Sequence, residues 1–287
     1  MFLANHGKGL FMKVVILAGG LGSRLAEETS IRPKPMVEIG GIPIIEHIMN
    51  WYMAFGLNEF IICLGYKGSD IISYFKDYNL KNGTCIISSD GKIETINKNK
   101  TKWKLTLAQT GLNTQTAGRV KKIGKFLEND EPFMLTYGDG LSNINILKLL
   151  NFHKKNKKLA TVTAVRPLAR FGAIDIENNY VKNFIEKPKS ESGWINGGFF
   201  VLDKKVLNYI NDSNEAWETG PLPRLVKEKQ LLSFKHHGFW QPMDTLREKL
   251  ILHNLWEKGK APWKTKSLQF KNVYHFSQSN VRKASNI

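Results

Sequence analysis

The sequence predicts an α/β fold in which a mixed, mostly parallel central sheet is flanked by helices, and three observations support this fold class. The run KVVILAG at 13–19 is apolar without polar alternation, which is typical of a strand buried on both faces. Strand-like and helix-like segments alternate through the first half of the chain, as they do when helices connect parallel strands. The half beyond Leu141 is richer in strand-like segments, which we expect to extend the sheet and to form one wall of a pocket.

The alternation in the first half assigns most of its elements. The helix predicted at 42–56 has apolar residues at helical spacing, with Pro43 near its start and Gly56 as its stop. Residues 90–104 are polar and have no clear period, so we expect an irregular excursion there. The other strands of this half are predicted at 59–66, 84–89 and 132–140, and its other helices at 69–78, with Ser69 or Asp70 as the cap, and at 118–127.

The second half and the two ends complete the predicted organisation. We expect one domain over 13–264, preceded by an extension at 1–12 and followed by a tail at 265–287, because no internal repeat or low-complexity linker divides the chain. The strands of the second half are predicted at 160–167, 172–188 and 194–203, with a hairpin turn at Asn178-Asn179, and a late helix is predicted at 243–259.

The composition is that of an ordinary globular protein, with 42% hydrophobic and 23% charged residues among 287. No apolar run reaches the roughly 20 residues that cross a bilayer. Residues 1–12 lack the apolar segment and the small-residue cleavage site of a signal peptide. Cys63 and Cys85 lie in predicted strands, and we interpret both as reduced residues of a cytoplasmic protein.

The formal net charge of +17 is the unusual value of the composition. It could indicate a nucleic-acid-binding protein, because clustered cations bind phosphate backbones. The lysines are scattered, however, and their densest run, at 154–158, falls at a predicted helix end, where cations are favourable. We therefore expect neither a nucleic-acid nor a membrane partner, since a small anionic substrate accounts for the charge equally well.

A glycine-rich loop follows the first predicted strand directly. Gly19, Gly20 and Gly22 lack side chains, so their backbone amides can point at phosphate oxygens. Arg24 can then bind a phosphate in bidentate fashion. The loop lacks the Gly-Lys-Ser/Thr of a Walker A motif and the third glycine of a dinucleotide-binding fingerprint. Taken alone, it could also be only a tight turn.

Three charged residues extend the phosphate hypothesis. Lys34 lies between Pro33 and Pro35, so we expect this cation in a stiff, extended segment rather than on a flexible arm. Asp139 ends a predicted buried strand next to the loop, where a carboxylate is well placed to bind Mg²⁺, although a turn-forming Asp-Gly is the alternative. Asp244 is a second candidate ligand, and its position before the late helix also fits a helix cap.

A third group of residues has the chemistry that a sugar phosphate requires. Glu186 and Lys187 of FIEKPK end a predicted strand, and Asn196 and Gly197 of WINGGFF follow closely. A carboxylate or an amide can bind sugar hydroxyls, a cation can bind the phosphate, and glycines permit a close approach. Each of these stretches could also be only a turn.

Taken together and in this order, the motifs resemble those of the sugar-1-phosphate nucleotidyltransferases. The stretches concerned are LAGGLGSR, PKPM, YGDG, EKPK, NGGFF and FWQPMDT, and the resemblance runs from Lys13 to Lys264. It implies a Rossmann-like nucleotide-diphospho-sugar transferase fold and a homo-oligomer, either a trimer or a hexamer. It also implies Mg²⁺-dependent transfer of a cytidylyl group from CTP to α-D-glucose 1-phosphate, a reaction that feeds deoxysugar and surface-polysaccharide synthesis.

The resemblance also assigns roles to residues. Lys34, Arg24 and Asp139 would be catalytic, and Asp139 and Asp244 would hold Mg²⁺. Ala117 stands where the family usually has glycine, and Ser23 replaces a common threonine while keeping the hydroxyl. The sugar phosphate would contact Lys187, Glu186, Asn196, Gly197 and Gly172. The nucleotide would contact Leu17, Ala18, Gly19, Gly20, Leu21, Gly22, Ser23, Arg24, Lys34, Thr114, Arg119 and Gly138.

Two alternatives remain open within this resemblance. A relative could use dTTP, UTP or another sugar phosphate, and a non-catalytic member could bind a sugar nucleotide as a regulator. A regulator would be expected to lack Lys34 or Asp139, whereas this chain has both.

Overall fold

The computed structural model describes residues 12–81, 84–90, 92–96, 103–127, 132–167, 173–177, 180–185 and 193–264. Along these residues the strands are β1 (Lys13–Ala18), β2 (Glu38–Ile39), β3 (Ile42–Pro43), β4 (Glu59–Leu64), β5 (Thr84–Ile87), β6 (Ile93–Ile96), β7 (Lys104–Gln109), β8 (Phe133–Tyr137), β9 (Gly140–Ser142), β10 (Ala160–Val165), β11 (Ala173–Glu177), β12 (Tyr180–Ile185), β13 (Ile195–Leu202), β14 (Leu231–His236) and β15 (Trp240–Pro242).

The helices are shorter than the spans that the sequence predicts. Within the described ranges, no helix is long and apolar enough to cross a membrane. The α-helices are α1 (Ala26–Thr29), α2 (Ile44–Met53), α3 (Gly68–Lys76), α4 (Tyr78–Lys81), α5 (Thr116–Lys122), α6 (Ile146–Asn156), α7 (Pro221–Lys227) and α8 (Leu246–Glu257). Short 3-10 helices lie at Ser23–Leu25, Lys34–Met36, Ile123–Phe126 and Lys204–Tyr209.

The centre of the molecule is a seven-stranded sheet with the strand order β14–β10–β13–β8–β1–β4–β7. Neighbouring strands are parallel, except that β13 runs antiparallel to both β8 and β10. The predicted mixed, mostly parallel sheet is thereby confirmed. Because parallel strands end at the same edge, the segments after β1, β4, β7 and β8 meet there, and open α/β sheets bind ligands at this edge.

The sheet is covered on both faces, and β1 shows how the sequence produces this burial. Val14 and Ile16 pack into one hydrophobic cluster with residues of α2, α3 and α6. Val15 and Leu17 pack into a second cluster with residues of α5 and α7. Successive side chains of a strand point to opposite faces, so a strand with a core on each side has no polar alternation.

The predicted cap of the third helix is wrong. α3 begins at Gly68 and follows Lys67, whose φ of 47° is left-handed, and no side chain caps it. A Cβ on Gly68 would lie 3.0 Å from the Cβ of Leu64, so this start is packed directly against the end of β4. The polar residues Ser69 and Asp70 therefore lie inside the first turn of the helix.

The expectation of an irregular excursion at 90–104 is also wrong. Within it, β6 pairs with β5 as an antiparallel hairpin, and β7, which follows it, forms the edge of the main sheet. Ala108 is the buried residue of β7, and its other residues are half-buried or exposed. An edge strand with so little burial does not show the apolar run by which β1 is recognised.

The predicted domain limits stay a prediction. The extension at 1–12 and the tail at 265–287 lie outside the described residues, except for Met12, which is buried in the first cluster. The predicted turn at Asn178-Asn179 lies outside them too, but β11 and β12 on either side of it pair antiparallel, as a hairpin requires.

Gly118 of α5 makes the closest backbone approach of this region. The amides of Gln115 and Ala117 donate to the carbonyls of Ser213 and Glu215, which brings the start of α5 against the segment before α7. A Cβ on Gly118 would lie 2.0 Å from the carbonyl oxygen of Ser213. The neighbouring Ala117 is tolerated because it points into the second hydrophobic cluster.

We predict that Gly118→Ala lowers the free energy of unfolding by about 2 kcal/mol or more, because an inserted methyl group would have to displace backbone. Urea denaturation measures this change. Gly140→Ala is the matched control, since a Cβ there has open space, and it should change stability by less than about 0.5 kcal/mol. Equal effects of the two variants would contradict the close approach.

Candidate active site

The glycine loop forms the floor of a cleft of about 280 Å³ at the carboxyl edge of the sheet. Gly22 has a left-handed φ of 67°, and a Cβ on it would lie 3.2 Å from the Cβ of Lys34. Leu21 of the same loop is 61% exposed. The predicted site residues that line the cleft are Leu17, Ala18, Gly19, Gly20, Gly22, Ser23, Arg24, Lys34, Thr114, Arg119, Gly138 and Asp139.

Lys34 connects the predicted metal ligands. Its Nζ donates to Asp139 Oδ2 at 2.6 Å and to Asp244 Oδ1 at 2.5 Å, and Arg24 Nη1 lies 2.8 Å from Asp244 Oδ2. The predicted extended conformation of Lys34 is wrong: Pro33 is extended, but Lys34 begins a 3-10 turn. Proline is tolerated in the first turn of a helix, so Pro35 does not prevent this turn.

The ammonium of Lys34 is stabilised in its charged form. Burial alone lowers the pKa of a lysine, and the side chain of Lys34 is only 10% exposed. The charges and hydrogen bonds of Asp139 and Asp244 more than offset this, so that the pKa of Lys34 is raised above its ordinary value. Lys34 is therefore a fixed positive charge at neutral pH.

Asp244 reaches Lys34 because two other residues cap the start of α8. Thr245 Oγ1 accepts from the amide of Glu248, and Glu248 Oε2 accepts from the amides of Asp244 and Thr245. This capping box leaves the carboxylate of Asp244 available for Lys34, so the helix-cap alternative for Asp244 is wrong. The short ladder between β9 and β15 then places Asp244 beside Asp139.

Asp139 and Asp244 have the donor chemistry that Mg²⁺ requires. Both carboxylates lie within hydrogen-bonding distance of one ammonium, so they are close enough to share a single cation. Among the described residues, no group of three His, Cys, Asp or Glu side chains could hold a metal ion alone. Mg²⁺ is usually bound by one or two carboxylates together with substrate phosphates. The two carboxylates fit that mode of binding.

Arg119 anchors the loops under the cleft. Its guanidinium donates to the carbonyl oxygens of Gly19 and Leu64 and to the hydroxyl of Thr110, at 3.0, 2.9 and 2.6 Å. It also donates to the carbonyl oxygens of Gly111 and Leu112. These acceptors follow β1, β4 and β7, so one side chain joins the ends of three neighbouring strands.

The predicted sugar-side residues are only partly described. Gly172, Glu186 and Lys187 lie outside the described residues. Asn196 donates from Nδ2 to the hydroxyl of Tyr137 at 3.3 Å and accepts at Oδ1 from the amide of Gly198 at 2.8 Å.

Several residues of the cleft were not singled out from the sequence. Tyr137, Gln115 and Thr116 line it, as does Pro35. The place of Tyr137, immediately before Gly138 at the end of a predicted strand, could have indicated it. No signal of this kind marks Gln115 or Thr116, because their position depends on where α5 begins.

A second cleft, of about 350 Å³, lies at the opposite end of the sheet. It opens at the amino ends of β1, β4 and β7, where Lys13, Glu59 and Lys104 line it. It contains none of the predicted site residues, so the carboxyl edge is the candidate active site.

Sequence comparison with known proteins identifies the family of this chain. The sequence profile of the nucleotidyl transferase family matches residues 13–246. The chain therefore belongs to the nucleotidyl transferase family. It is 49% identical over 255 residues to the glucose-1-phosphate cytidylyltransferase of Salmonella typhi, covering 88% of this chain and 99% of that protein. It is 31% identical to the mannose-1-phosphate guanyltransferase of Saccharomyces cerevisiae, covering 85% of this chain and 65% of that protein.

Solved structures support the fold alone, because their sequence identities are low. HddC from Yersinia pseudotuberculosis, complexed with GMP-PN, has a TM-score of 0.62 and 24% identity, with 86% of this chain and 100% of that chain covered. The inositol-1-phosphate CTP transferase from T. maritima has a TM-score of 0.59 and 15% identity, with 88% and 99% covered.

We predict that Arg119→Lys lowers the free energy of unfolding by about 3 kcal/mol, because an ammonium cannot reproduce the hydrogen bonds that the planar guanidinium donates to several acceptors at once. Urea denaturation measures the loss. Arg32→Lys is the control, since Arg32 forms an exposed ion pair with Glu38, and it should cost less than about 1 kcal/mol. If Arg119→Lys were as mild as this control, the anchoring role would be refuted.

Proposed function

We propose that this chain transfers the cytidylyl group of CTP to α-D-glucose 1-phosphate, forming CDP-glucose and pyrophosphate. The observation that carries the proposal is the similarity to the Salmonella typhi glucose-1-phosphate cytidylyltransferase. This chain is 49% identical to that protein, and the match covers 99% of that protein's length. The cluster of Lys34, Asp139 and Asp244 beside the glycine loop supports it, because the reaction requires a place where two phosphate-bearing anions can meet.

In this proposal the glycine loop binds the triphosphate. Gly20 is exposed and a Cβ on it would meet no atom within 4 Å, so the backbone is accessible there. Amides of such loops donate to phosphate oxygens. Arg24 is placed for the same role, because its side chain is 71% exposed and lines the cleft while one nitrogen pairs with Asp244. A guanidinium can bind two oxygens of one phosphate.

The proposed reaction needs little covalent chemistry from the protein. A phosphate oxygen of glucose 1-phosphate forms a bond to the α-phosphorus of CTP, while the bond from that phosphorus to the pyrophosphate oxygen breaks. No general base is required, because the attacking phosphate is already ionised near neutral pH. Both reactants are anions, so the protein contributes by positioning them and by neutralising their charge. The fixed charge of Lys34 suits that task.

Asp139 and Asp244 are proposed as the residues that hold Mg²⁺. A bound Mg²⁺ would supply charge neutralisation at the phosphates and would orient the leaving pyrophosphate. The proposal rests on the two carboxylates that share one cation, as described above.

The remaining assignments follow from the resemblance and are proposed with it. Asn196 and Gly197 would contact the hexose together with Glu186, Lys187 and Gly172, and the chain would form a homo-oligomer. A cytoplasmic location is proposed as well, and it is supported by the free thiols of both cysteines.

The activity is tested by measuring pyrophosphate release from CTP, dTTP and UTP, each with glucose 1-phosphate, with Mg²⁺ or with EDTA. We expect release with CTP and Mg²⁺ to exceed release with dTTP or UTP, and EDTA to abolish it. A preference for dTTP or UTP would assign the chain to another nucleotide specificity. Binding of CDP-glucose without any release would favour the regulatory alternative.

We predict that Lys34→Ala and Asp139→Ala each lower kcat by a factor of about 100 or more, since each removes a charge at the reacting phosphates. Lys104→Ala and Glu59→Ala are matched controls, because Lys104 and Glu59 form an ion pair at the opposite end of the sheet. The controls should retain kcat within about twofold. Near-normal kcat in Lys34→Ala or Asp139→Ala, with the fold verified by circular dichroism, would remove these residues from the mechanism.

A further inference from the structure

We infer that Glu218 binds a ring hydroxyl of the hexose and that Tyr137 positions its carboxylate. This inference rests on the proposed function, because it names a contact that selects the sugar of that reaction. Glu218 lies in the segment before α7 and belongs to none of the motifs that the sequence analysis identified.

The carboxylate of Glu218 is held by two hydroxyl groups. The Tyr137 hydroxyl donates to Glu218 Oε1, and the Thr116 hydroxyl donates to Glu218 Oε2 at 3.2 Å. Asn196 donates from Nδ2 to the Tyr137 oxygen at 3.3 Å. Four side chains from separate elements, β8, β13, α5 and the segment before α7, therefore form one hydrogen-bonded group, which we call the Tyr137–Glu218 group.

The ring of Tyr137 is fixed by its surroundings. A Cβ on Gly198 would lie 2.5 Å from Tyr137 Cδ2, so the ring lies directly against the glycine backbone. The ring of Phe200 contacts it edge-on, at 6.1 Å between centroids. These contacts hold the ring in place while its hydroxyl donates to Glu218.

The Tyr137–Glu218 group adjoins the cleft, because two of its members, Tyr137 and Thr116, line it. Tyr137 pairs with Leu17 at the ends of β8 and β1, so it is next to the glycine loop. Asn196 lies on β13, which adjoins β8 on the side away from β1. Most of the residues proposed for the nucleotide lie at the end of β1 or after β1 and β7, on the other side, although Gly138 follows β8. A hexose joined to the attacking phosphate would therefore lie over β8 and β13.

The chemistry of Glu218 suits a hydroxyl and not a phosphate. An additional carboxylate in contact with two cleft-lining residues would repel the phosphates of the two anions that the cleft must attract. Within the described part of the chain, Glu218 forms no ion pair, so its charge is not cancelled by a neighbouring cation. A carboxylate has about four acceptor positions, of which Tyr137 and Thr116 use two. Hydroxyl groups donate strongly to such an ionised acceptor.

Glu218→Gln tests the inference, because it keeps the size of the side chain and removes its charge. We expect the KM for glucose 1-phosphate to rise about tenfold and the KM for CTP to change less than about twofold. An unchanged KM for glucose 1-phosphate would overturn the inference. A rise in the KM for CTP alone would also overturn it, since the carboxylate would then act on the ribose.

The 2-, 3-, 4- and 6-deoxy analogues of glucose 1-phosphate identify the hydroxyl. The wild-type protein should discriminate against one of these analogues by about tenfold or more in kcat/KM, and this discrimination should disappear in Glu218→Gln. If all four discrimination ratios were the same in the variant as in the wild-type protein, no hydroxyl would depend on Glu218.

Tyr137→Phe separates positioning from mere stability. It should raise the KM for glucose 1-phosphate. The double variant Tyr137→Phe/Glu218→Gln should raise this KM no further than Glu218→Gln alone, because both changes disrupt one interaction. Additive effects would refute the coupling of the two residues.

A matched pair on the surface supplies the control. Tyr209 donates to Glu228 Oε2 in the same way, but Tyr209, unlike Tyr137, does not line the cleft. Tyr209→Phe and Glu228→Gln should leave the KM for both substrates within about twofold. If the wild-type protein releases pyrophosphate from CTP while Glu218→Gln matches it throughout, this inference fails and the proposed function stands. Absence of release from the wild-type protein would instead overturn the proposed function.

Discussion

The site depends on one ammonium that two carboxylates share. Lys34 is separated from Asp139 by 105 residues and from Asp244 by 210, and its Nζ lies within 2.6 Å of both. The charge of Lys34 would be unfavourable at this depth without the two carboxylates, because buried unpaired charges are costly. Their contact therefore fixes how the turn after Pro33, the end of β8 and the start of α8 lie together.

Arg119 stabilises the loops through hydrogen bonds to neutral groups and not through ion pairs. The charges around Lys34 are paired with one another. Arg119, in contrast, is 4% exposed, and its guanidinium donates to backbone and hydroxyl acceptors at three strand ends. Breaking this group would remove five hydrogen bonds from one charged donor at once. The glycine loop is thus held by Arg119 at Gly19 while Gly20 stays exposed.

The sequence predicts those features that local patterns determine. The continuous apolar run of β1, the glycines after it and Asp139 at a strand end are all visible in short stretches, and the order of the motifs indicates the family. The contact of Lys34 with Asp244 cannot be predicted from local sequence patterns, because it joins residues 210 positions apart. The start of α3 at Gly68 depends on packing against Leu64, and the weak burial of β7 hides an edge strand. Glu218 lies in no motif, and only the folded chain brings it to Tyr137.

The charges of the site explain why the net charge of +17 does not by itself account for phosphate binding. Scattered lysines can steer anions toward the molecule at long range. At the cleft, however, the formal charges of Arg24 and Lys34 are matched by those of Asp139 and Asp244. A locally neutral cluster cannot hold a triphosphate and a sugar phosphate through its charge alone. In the proposed reaction, the additional attraction would come from the amides of the glycine loop, from Lys187 and from a divalent cation at the two carboxylates.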